Sequence, residues 1–134
     1  MARNQETASR CLVLDSGAVI GLSRGDQRAR AVLRRALELG MDVRIPVVVL
    51  SETLRGSPRD APVHRVRNAV DVFPTTEAIA KVAAGLLGKT GGKNTADALV
   101  AAEALASHAD LVTSDPEDMK GLLRGRHEVR LVVV

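Results

Sequence analysis

Short, continuous aliphatic runs alternate with longer amphipathic segments along this chain, and that alternation limits the folds open to it. The run CLVLD (11–15) is apolar up to its final Asp, and ADLVT (109–113) is mostly apolar, which is typical of strands buried on both faces. Residues 26–39 instead carry apolar residues three and four positions apart, as an amphipathic helix does. The alternation predicts an α/β fold, a three-layer α/β/α sandwich around a mostly parallel five-stranded sheet.

The predicted order of elements is β-α-α-β-α-α-β-α-α-β-α-β. The other three strands are expected in MDVRI (41–45), VDVF (70–73) and EVRLVVV (128–134). Thr75 or Thr76 is expected to cap one helix, and Thr95 the helix that follows GGKNT. No domain boundary is apparent, so residues 11–134 are expected to form one domain after a disordered lead-in over residues 1–10.

The composition excludes several classes of protein. Phe73 is the only aromatic residue, so the core must be aliphatic and aromatic stacking on nucleic-acid bases is excluded. With Cys11 alone, no internal disulfide can form, which fits a reducing compartment. No apolar run approaches the roughly 18 residues of a membrane span. A cytoplasmic protein without membrane contact is therefore expected.

Charge is unevenly distributed along the chain, although the formal net charge is only +3. Residues 24–67 contain ten arginines against five acidic residues, whereas residues 71–118 contain eight acidic residues against three lysines. A phosphate-rich partner held near an acidic centre would explain the asymmetry. The arginine-rich usage of a high-GC genome would explain many of the individual arginines equally well.

Four acidic residues are expected at the edge of the predicted sheet where parallel sheets bind ligands, the carboxyl ends of the strands. Asp15 ends the first strand and Asp115 lies two residues beyond the fourth, while Glu52 and Asp97 lie on helices that begin at the same edge. Carboxylates placed together repel each other unless a cation neutralises them. An oxygen-only set favours Mg²⁺ or Mn²⁺ over Zn²⁺. Singly, each residue has a plain alternative, since Asp15, Asp97 and Asp115 can serve as helix caps or first-turn acids and Glu52 as a surface residue.

These segments also carry a family resemblance. VLDSGAVIGL, SETLRG, ADALVAAEAL and LVTSDPEDM, in this order and spacing, resemble the PIN-domain ribonucleases, most closely the VapC-type toxins of toxin–antitoxin pairs. The resemblance covers nearly the whole chain. It implies a PIN-like fold, a Mg²⁺- or Mn²⁺-dependent endoribonuclease, a homodimer, and a small antitoxin protein that holds the enzyme inactive.

The resemblance carries the metal-binding role onto Asp15, Glu52, Asp97 and Asp115. It leaves open whether Asp115 or Asp118 completes the site. Thr113 resembles a small hydroxyl residue that orients a carboxylate or a water.

The chemistry itself needs a metal-activated water and no side-chain nucleophile. In that scheme Asp15, Asp97 and Asp115 bind the metal, and Glu52 either binds it through a water or acts as a base. The RNA backbone is expected to contact a set of basic residues: Arg24, Arg28, Arg55, Arg59 and Lys93.

Two other functions remain possible at this point. One is a non-catalytic module of the same fold that binds RNA or protein, and the other is an acidic pocket that binds metal only for stability. An apolar surface around Val19, Ile20 and Leu22 is the predicted docking site for a partner helix.

Overall fold

The structure is a computed structural model that describes residues 10–134. Within that range the chain forms five strands and seven α-helices. In chain order they are β1 (Cys11–Leu14), α1 (Ser16–Ser23), α2 (Gln27–Glu38), β2 (Asp42–Pro46), α3 (Val47–Thr53), α4 (Ala61–Ala69), β3 (Asp71–Phe73), α5 (Glu77–Thr90), α6 (Thr95–Ala106), β4 (Asp110–Thr113), α7 (Pro116–Leu122) and β5 (Leu131–Val133). A short 3₁₀ helix, Pro58–Asp60, precedes α4. The predicted order of elements is confirmed.

All five strands are parallel and follow the order β3-β2-β1-β4-β5. The chain therefore starts in the middle of the sheet, moves outward through β2 and β3, and then crosses to the other side of β1. That reversal places a crevice between the carboxyl ends of β1 and β4, where open parallel sheets bind ligands. The sheet is fully parallel, in agreement with the prediction.

Helices cover the sheet to complete a three-layer α/β/α arrangement. Helix α6 packs on β1, β2 and β4 and pairs with α5, while α1 packs on β1 and β4 and contacts α2, α3 and α4. All four residues of β1 and all four of β4 are buried, which explains why β1 is entirely apolar; in β4 the polar residues Asp110 and Thr113 are buried as well. The buried hydrophobic residues are valine, leucine, isoleucine, alanine, Cys11 and Met119, so the core is aliphatic as predicted.

Several element ends differ from the sequence-based expectation. Helix α3 ends at Thr53 rather than near Gly56, because the backbone is already extended at Leu54 (φ −94°, ψ 148°). The predicted lead-in covers residues 1–10, of which residues 1–9 lie outside the described part of the chain and Arg10 lies within it. The Arg10 guanidinium forms a salt bridge with the buried carboxylate of Asp110. Between residues 10 and 134, no helix is long and apolar enough to cross a membrane.

Candidate functional site

Asp15 lies at the carboxyl end of β1, at the centre of the sheet. Its backbone N–H donates to the carbonyl of Val112 in β4 at 3.1 Å, and its carboxylate caps α1 by accepting from the N–H of Ala18 at 2.8 Å. The side chain is buried, with 5% of its surface exposed. Burial raises the pKa of Asp15, and the charge of Asp115 raises it further, against hydrogen bonds from Thr113, Ala18 and Gly17 that lower it.

The turn from β4 into α7 brings three of the predicted residues together. Thr113 is fully buried, and its hydroxyl oxygen accepts from the N–H of Asp115 at 2.9 Å. Because the same hydroxyl hydrogen-bonds the Asp15 carboxylate, Thr113 links the two aspartates. Asp115 in turn caps α7, accepting from the N–H of Asp118 at 3.4 Å.

Asp115 and Asp118 lie side by side. A hydrogen bond to the Asp115 carboxylate, together with its negative charge, raises the pKa of Asp118. Both side chains are exposed. Asp115 and Asp118 therefore present their carboxylates at the same place in the fold, and the location of the site does not depend on which of the two completes it.

Asp97 lies in the first turn of α6. The residue that caps this helix is Asn94, whose side-chain oxygen accepts from the N–H of Asp97 at 3.0 Å. The prediction of Thr95 as the cap was wrong by one position, and Thr95 is the first helical residue. Asparagine and threonine both cap helices well, so the conformation of the preceding turn determines which of the two residues is the cap.

The negative charges of four other carboxylates affect the pKa of Asp97. The pKa of Asp97 is raised from 3.8 to about 6, most of all by burial and then by the negative charges of nearby acids, in the order Glu52, Asp118, Asp15, Asp115. Glu52 lies near the end of α3, which packs against α6. We refer to these five residues (Asp15, Glu52, Asp97, Asp115 and Asp118) as the carboxylate arc.

No ion pair neutralises the carboxylate arc in the described part of the chain, although Lys93 lines a cavity with two of its members, Asp97 and Asp118. None of its members forms a salt bridge there; the carboxylates that do are Glu38, Asp42, Glu77, Asp110, Glu117 and Glu128. Uncompensated carboxylates in one place favour a bound cation. Oxygen donors of this kind suit Mg²⁺ or Mn²⁺, so the chemistry of the donor set fits a divalent metal.

The carboxylates of the arc are not drawn together around a single point. Over residues 10–134, no group of three or more His, Cys, Asp or Glu side chains is placed to hold a metal ion. Asp15 and Asp115 are engaged as helix caps, and the exposed Asp115 and Asp118 can change rotamer. Binding a metal would therefore require side chains of the arc to turn.

The five basic residues expected to contact RNA are not equally close to the arc. Lys93 lines a cavity that also includes Asp97 and Asp118. Arg24 lines a second cavity with Gly17 and Ser114, beside Asp15. The other three (Arg28, Arg55 and Arg59) are exposed and line neither of these two cavities.

The predicted apolar docking surface on α1 was wrong. Val19 is fully buried and Leu22 is 6% exposed, because α1 is apolar on most of its faces and packs between the sheet and its neighbouring helices. Ile20 is half-buried and lines the cavity with Arg24. These residues belong mainly to the core.

One residue near the site escaped the sequence analysis altogether. Arg124 lines the same cavity as Asp97, Asp118 and Lys93, although it lies beyond the end of α7, outside every motif. Nothing in the run RGRHEVR distinguishes it from Arg126, which is salt-bridged to Glu128. Its position beside the site is apparent only from the tertiary structure, in which the end of α7 lies near the start of α6.

A family model described as the PIN domain matches residues 12–120, most of the chain. The chain belongs to the PIN-domain family. The matched range includes all five members of the carboxylate arc, together with Thr113 and Lys93, and it stops just before Arg124. Among curated protein sequences, none is significantly similar to this PIN domain.

Solved structures with the same fold include several toxin–antitoxin complexes. A chain of VapBC2 from Rickettsia felis, bound to a DNA fragment from its promoter, superposes with a TM-score of 0.76 at 15% identity, covering 92% of this chain and 98% of that one. A toxin–antitoxin complex from Klebsiella pneumoniae gives 0.67 at 21% identity, covering 91% and 96%. VapBC-5 from Mycobacterium tuberculosis gives 0.64 at 22% identity, covering 92% and 98%. At these identities the similarity establishes the fold.

Proposed function

We propose that this PIN domain is a metal-dependent endoribonuclease and the toxin of a toxin–antitoxin pair. The observation that carries the proposal is the carboxylate arc, five acidic side chains on four elements, none of them in a salt bridge within residues 10–134. Neighbouring carboxylates raise the pKa of three of them, Asp15, Asp97 and Asp118. Holding such a cluster costs stability unless it serves a bound cation. Its position at the carboxyl edge of β1 and β4 is that of a ligand site.

The proposed roles follow from burial and placement. Asp15, Asp97 and Asp115 would hold Mg²⁺ or Mn²⁺, with Asp118 beside Asp115 as a further ligand. Glu52 would bind the ion through a water or accept a proton from the attacking water. A cation bound there lowers the pKa of a bound water and offsets charge on the phosphodiester. Thr113 would hold Asp15 and Asp115 in a fixed position relative to each other through its two hydrogen bonds.

The partners are part of the same proposal. The similar folds are found in VapBC and other toxin–antitoxin complexes, which supports a small cognate antitoxin as the protein that controls this chain. We also propose that the protein forms a homodimer, acts on RNA and is located in the cytoplasm.

Cleavage of a total RNA pool tests the proposal most directly. Purified wild-type protein would be compared with Asp97→Asn, each in Mg²⁺, in Mn²⁺ and in EDTA. Glu77→Gln is the matched control, because Glu77 also lies in the first turn of a helix but is salt-bridged to Lys81 outside the arc. We expect discrete fragments from wild type and Glu77→Gln in either metal, and none in EDTA or from Asp97→Asn.

Other results would point to the alternatives. RNA left intact by folded, antitoxin-free wild-type protein in both metals would favour the non-catalytic binding module. Metal-dependent thermal stabilisation without cleavage would favour an acidic pocket that binds metal only for stability.

A further inference from the structure

A cavity of about 230 Å³ adjoins the carboxylate arc between the start of α6 and the end of α7. We call it the α7 cavity. It shares Asp97 and Asp118 with the arc, and it also contains two basic residues, Lys93 and Arg124. Its remaining lining comes from Thr90, Gly92, Asn94, Glu117, Gly121 and Leu122.

The two basic residues of the α7 cavity are free to bind an anion. Of the four basic residues from position 93 to position 126, Lys120 is salt-bridged to Glu117 and Arg126 to Glu128. Lys93 and Arg124 form no salt bridge within the described residues, although Asp97, Glu117 and Asp118 line the same cavity. Both side chains are exposed. Positive charge is thus left available beside a site that would itself hold a phosphate.

The positions of these residues in the chain explain why they stay close to the arc. Lys93 immediately precedes Asn94, the cap that holds the first turn of α6 and Asp97. Arg124 follows Leu123, the C-cap of α7, and the first turn of α7 carries Asp118. Helices α6 and α7 pack against each other. The two cations and the two carboxylates therefore sit on the same pair of helices.

We infer that the α7 cavity receives the nucleotide next to the scissile phosphate of a single-stranded RNA, and that Lys93 and Arg124 bind its phosphate. The inference rests on the proposed nuclease function, because it takes the scissile phosphate to lie at the arc. The next nucleotide is covalently attached and must occupy an adjoining space. The cavity contains no aromatic side chain on which a base could stack, so the contact is with the sugar–phosphate backbone and is tolerant of sequence.

Salt dependence of RNA binding measures phosphate contacts directly. The probe is a fluorescent mixed-sequence single-stranded RNA, followed by anisotropy at several salt concentrations in EDTA, where no cleavage is expected, and checked on a gel as intact. For single strands, the slope of log affinity against log salt changes by about 0.7 for each phosphate contact. Lys93→Gln/Arg124→Gln should therefore flatten the slope by about 0.7 or more.

A control pair separates a local contact from a general loss of positive charge. Lys81→Gln/Arg35→Gln removes the same two charge types from exposed positions on α5 and α2, outside the α7 cavity. We expect this pair to keep the wild-type slope. If both pairs change the slope equally, Lys93 and Arg124 contribute only net charge and the inference is wrong.

Filling the cavity tests it without touching a charge. A Cβ at Gly121 would meet no atom within 4 Å, and Gly121 lies within α7, where most other residues favour the helix more than glycine does. Gly121→Leu should therefore fold at least as stably as wild type and bind the RNA more weakly. Gly85→Leu is the control, since Gly85 lies within α5 with equally open space and lines no part of the cavity.

The outcomes separate this inference from the function on which it rests. Wild-type protein that cleaves RNA, with unaltered binding in Gly121→Leu and Lys93→Gln/Arg124→Gln, would overturn the α7 cavity alone. Wild-type protein that neither binds nor cleaves RNA in either metal would overturn the nuclease function and the cavity with it. Weaker binding in both cavity variants, with both controls like wild type, would establish the subsite.

Discussion

Gly17, in the first turn of α1, lies against Ser114, in the turn that leads to Asp115. A Cβ at position 17 would fall 1.8 Å from the Ser114 Oγ and 2.8 Å from its Cβ. Both residues sit beside a metal-site candidate, with Asp15 two positions before Gly17 and Asp115 immediately after Ser114. The absence of a side chain at position 17 therefore allows the two halves of the site to approach each other.

The first prediction concerns this close approach. Gly17→Ala should destabilise the fold by about 1–3 kcal/mol, the usual cost of overpacking, and lower cleavage by moving the turn that carries Asp115. Chemical denaturation measures the first effect and an RNA cleavage assay the second.

A second substitution shows whether the contact with Ser114 is the cause. Ser114→Gly removes the two atoms that a Cβ at position 17 would clash with, and leaves only the Asp15 Oδ1 at 3.5 Å, an ordinary van der Waals contact. The double variant should therefore recover most of the stability lost by Gly17→Ala. Additive losses in the double variant would mean that another contact limits position 17.

The second prediction concerns Thr113, which hydrogen-bonds both the Asp115 backbone and the Asp15 carboxylate. Thr113→Val keeps the shape but leaves the Asp115 N–H without its partner, at a cost of about 1–3 kcal/mol. Loss of a residue that orients metal ligands typically lowers metal affinity or activity by about 10–100-fold. Calorimetric titration with Mn²⁺ measures the affinity. Thr113→Ser, which retains the hydroxyl, should remain close to wild type; equal losses in both variants would exclude the hydrogen bonds as the cause.

The third prediction follows from the raised pKa of Asp97, which is about 6 rather than 3.8. Between these two values the native protein binds more protons than the unfolded chain, so the metal-free protein should lose stability as pH rises through that range. Added Mg²⁺ should oppose the loss, and should raise the melting temperature more at pH 7 than at pH 5. Thermal denaturation with and without Mg²⁺ measures both effects.

Asp97→Asn is the control for that pH dependence. It removes the titrating group, so the metal-free variant should show a flatter stability profile from pH 4 to pH 6 than wild type. A profile as steep as that of wild type would assign the dependence to another carboxyl of the arc.

The fourth prediction concerns Asp60, a buried carboxylate away from the arc. It accepts from the backbone N–H groups of Arg55 at 3.0 Å, Gly56 at 2.7 Å and Ser57 at 3.2 Å. Burial alone raises the pKa of Asp60, but these three donors outweigh burial, and the pKa is lowered overall. The stabilisation is then complete above the unfolded pKa of about 4 and is lost as pH falls through the lower native value.

Asp60→Asn should therefore destabilise the protein at pH 7 and reduce the part of acid unfolding that depends on this residue. The free energy of unfolding, measured in urea from neutral pH downward, tests both points. Asp71→Asn, at an exposed position on β3, is the control and should leave the profile unchanged. An Asp60→Asn profile parallel to that of wild type would show that the turn does not depend on the carboxylate charge.

Much of the fold was predictable because its signals are local. Continuous apolar runs identified the strands, and the ends of β1 and β4 placed Asp15 and Asp115 at the same edge of the sheet. The spacing of apolar residues identified α2, and the alternation of elements predicted a parallel sheet. These features depend on burial and periodicity, which a sequence carries directly.

The tertiary structure alone decided which side chains meet. It placed Asp118 within reach of Asp97, and it brought Arg124 to the cavity of Lys93. It also buried Val19 and Leu22, two of the three residues expected at a docking surface. Contacts of this kind depend on how long each helix is and how closely the elements pack, as they do at Gly17 and Ser114. Neither the composition nor the spacing of residues specifies the distance between side chains on different elements.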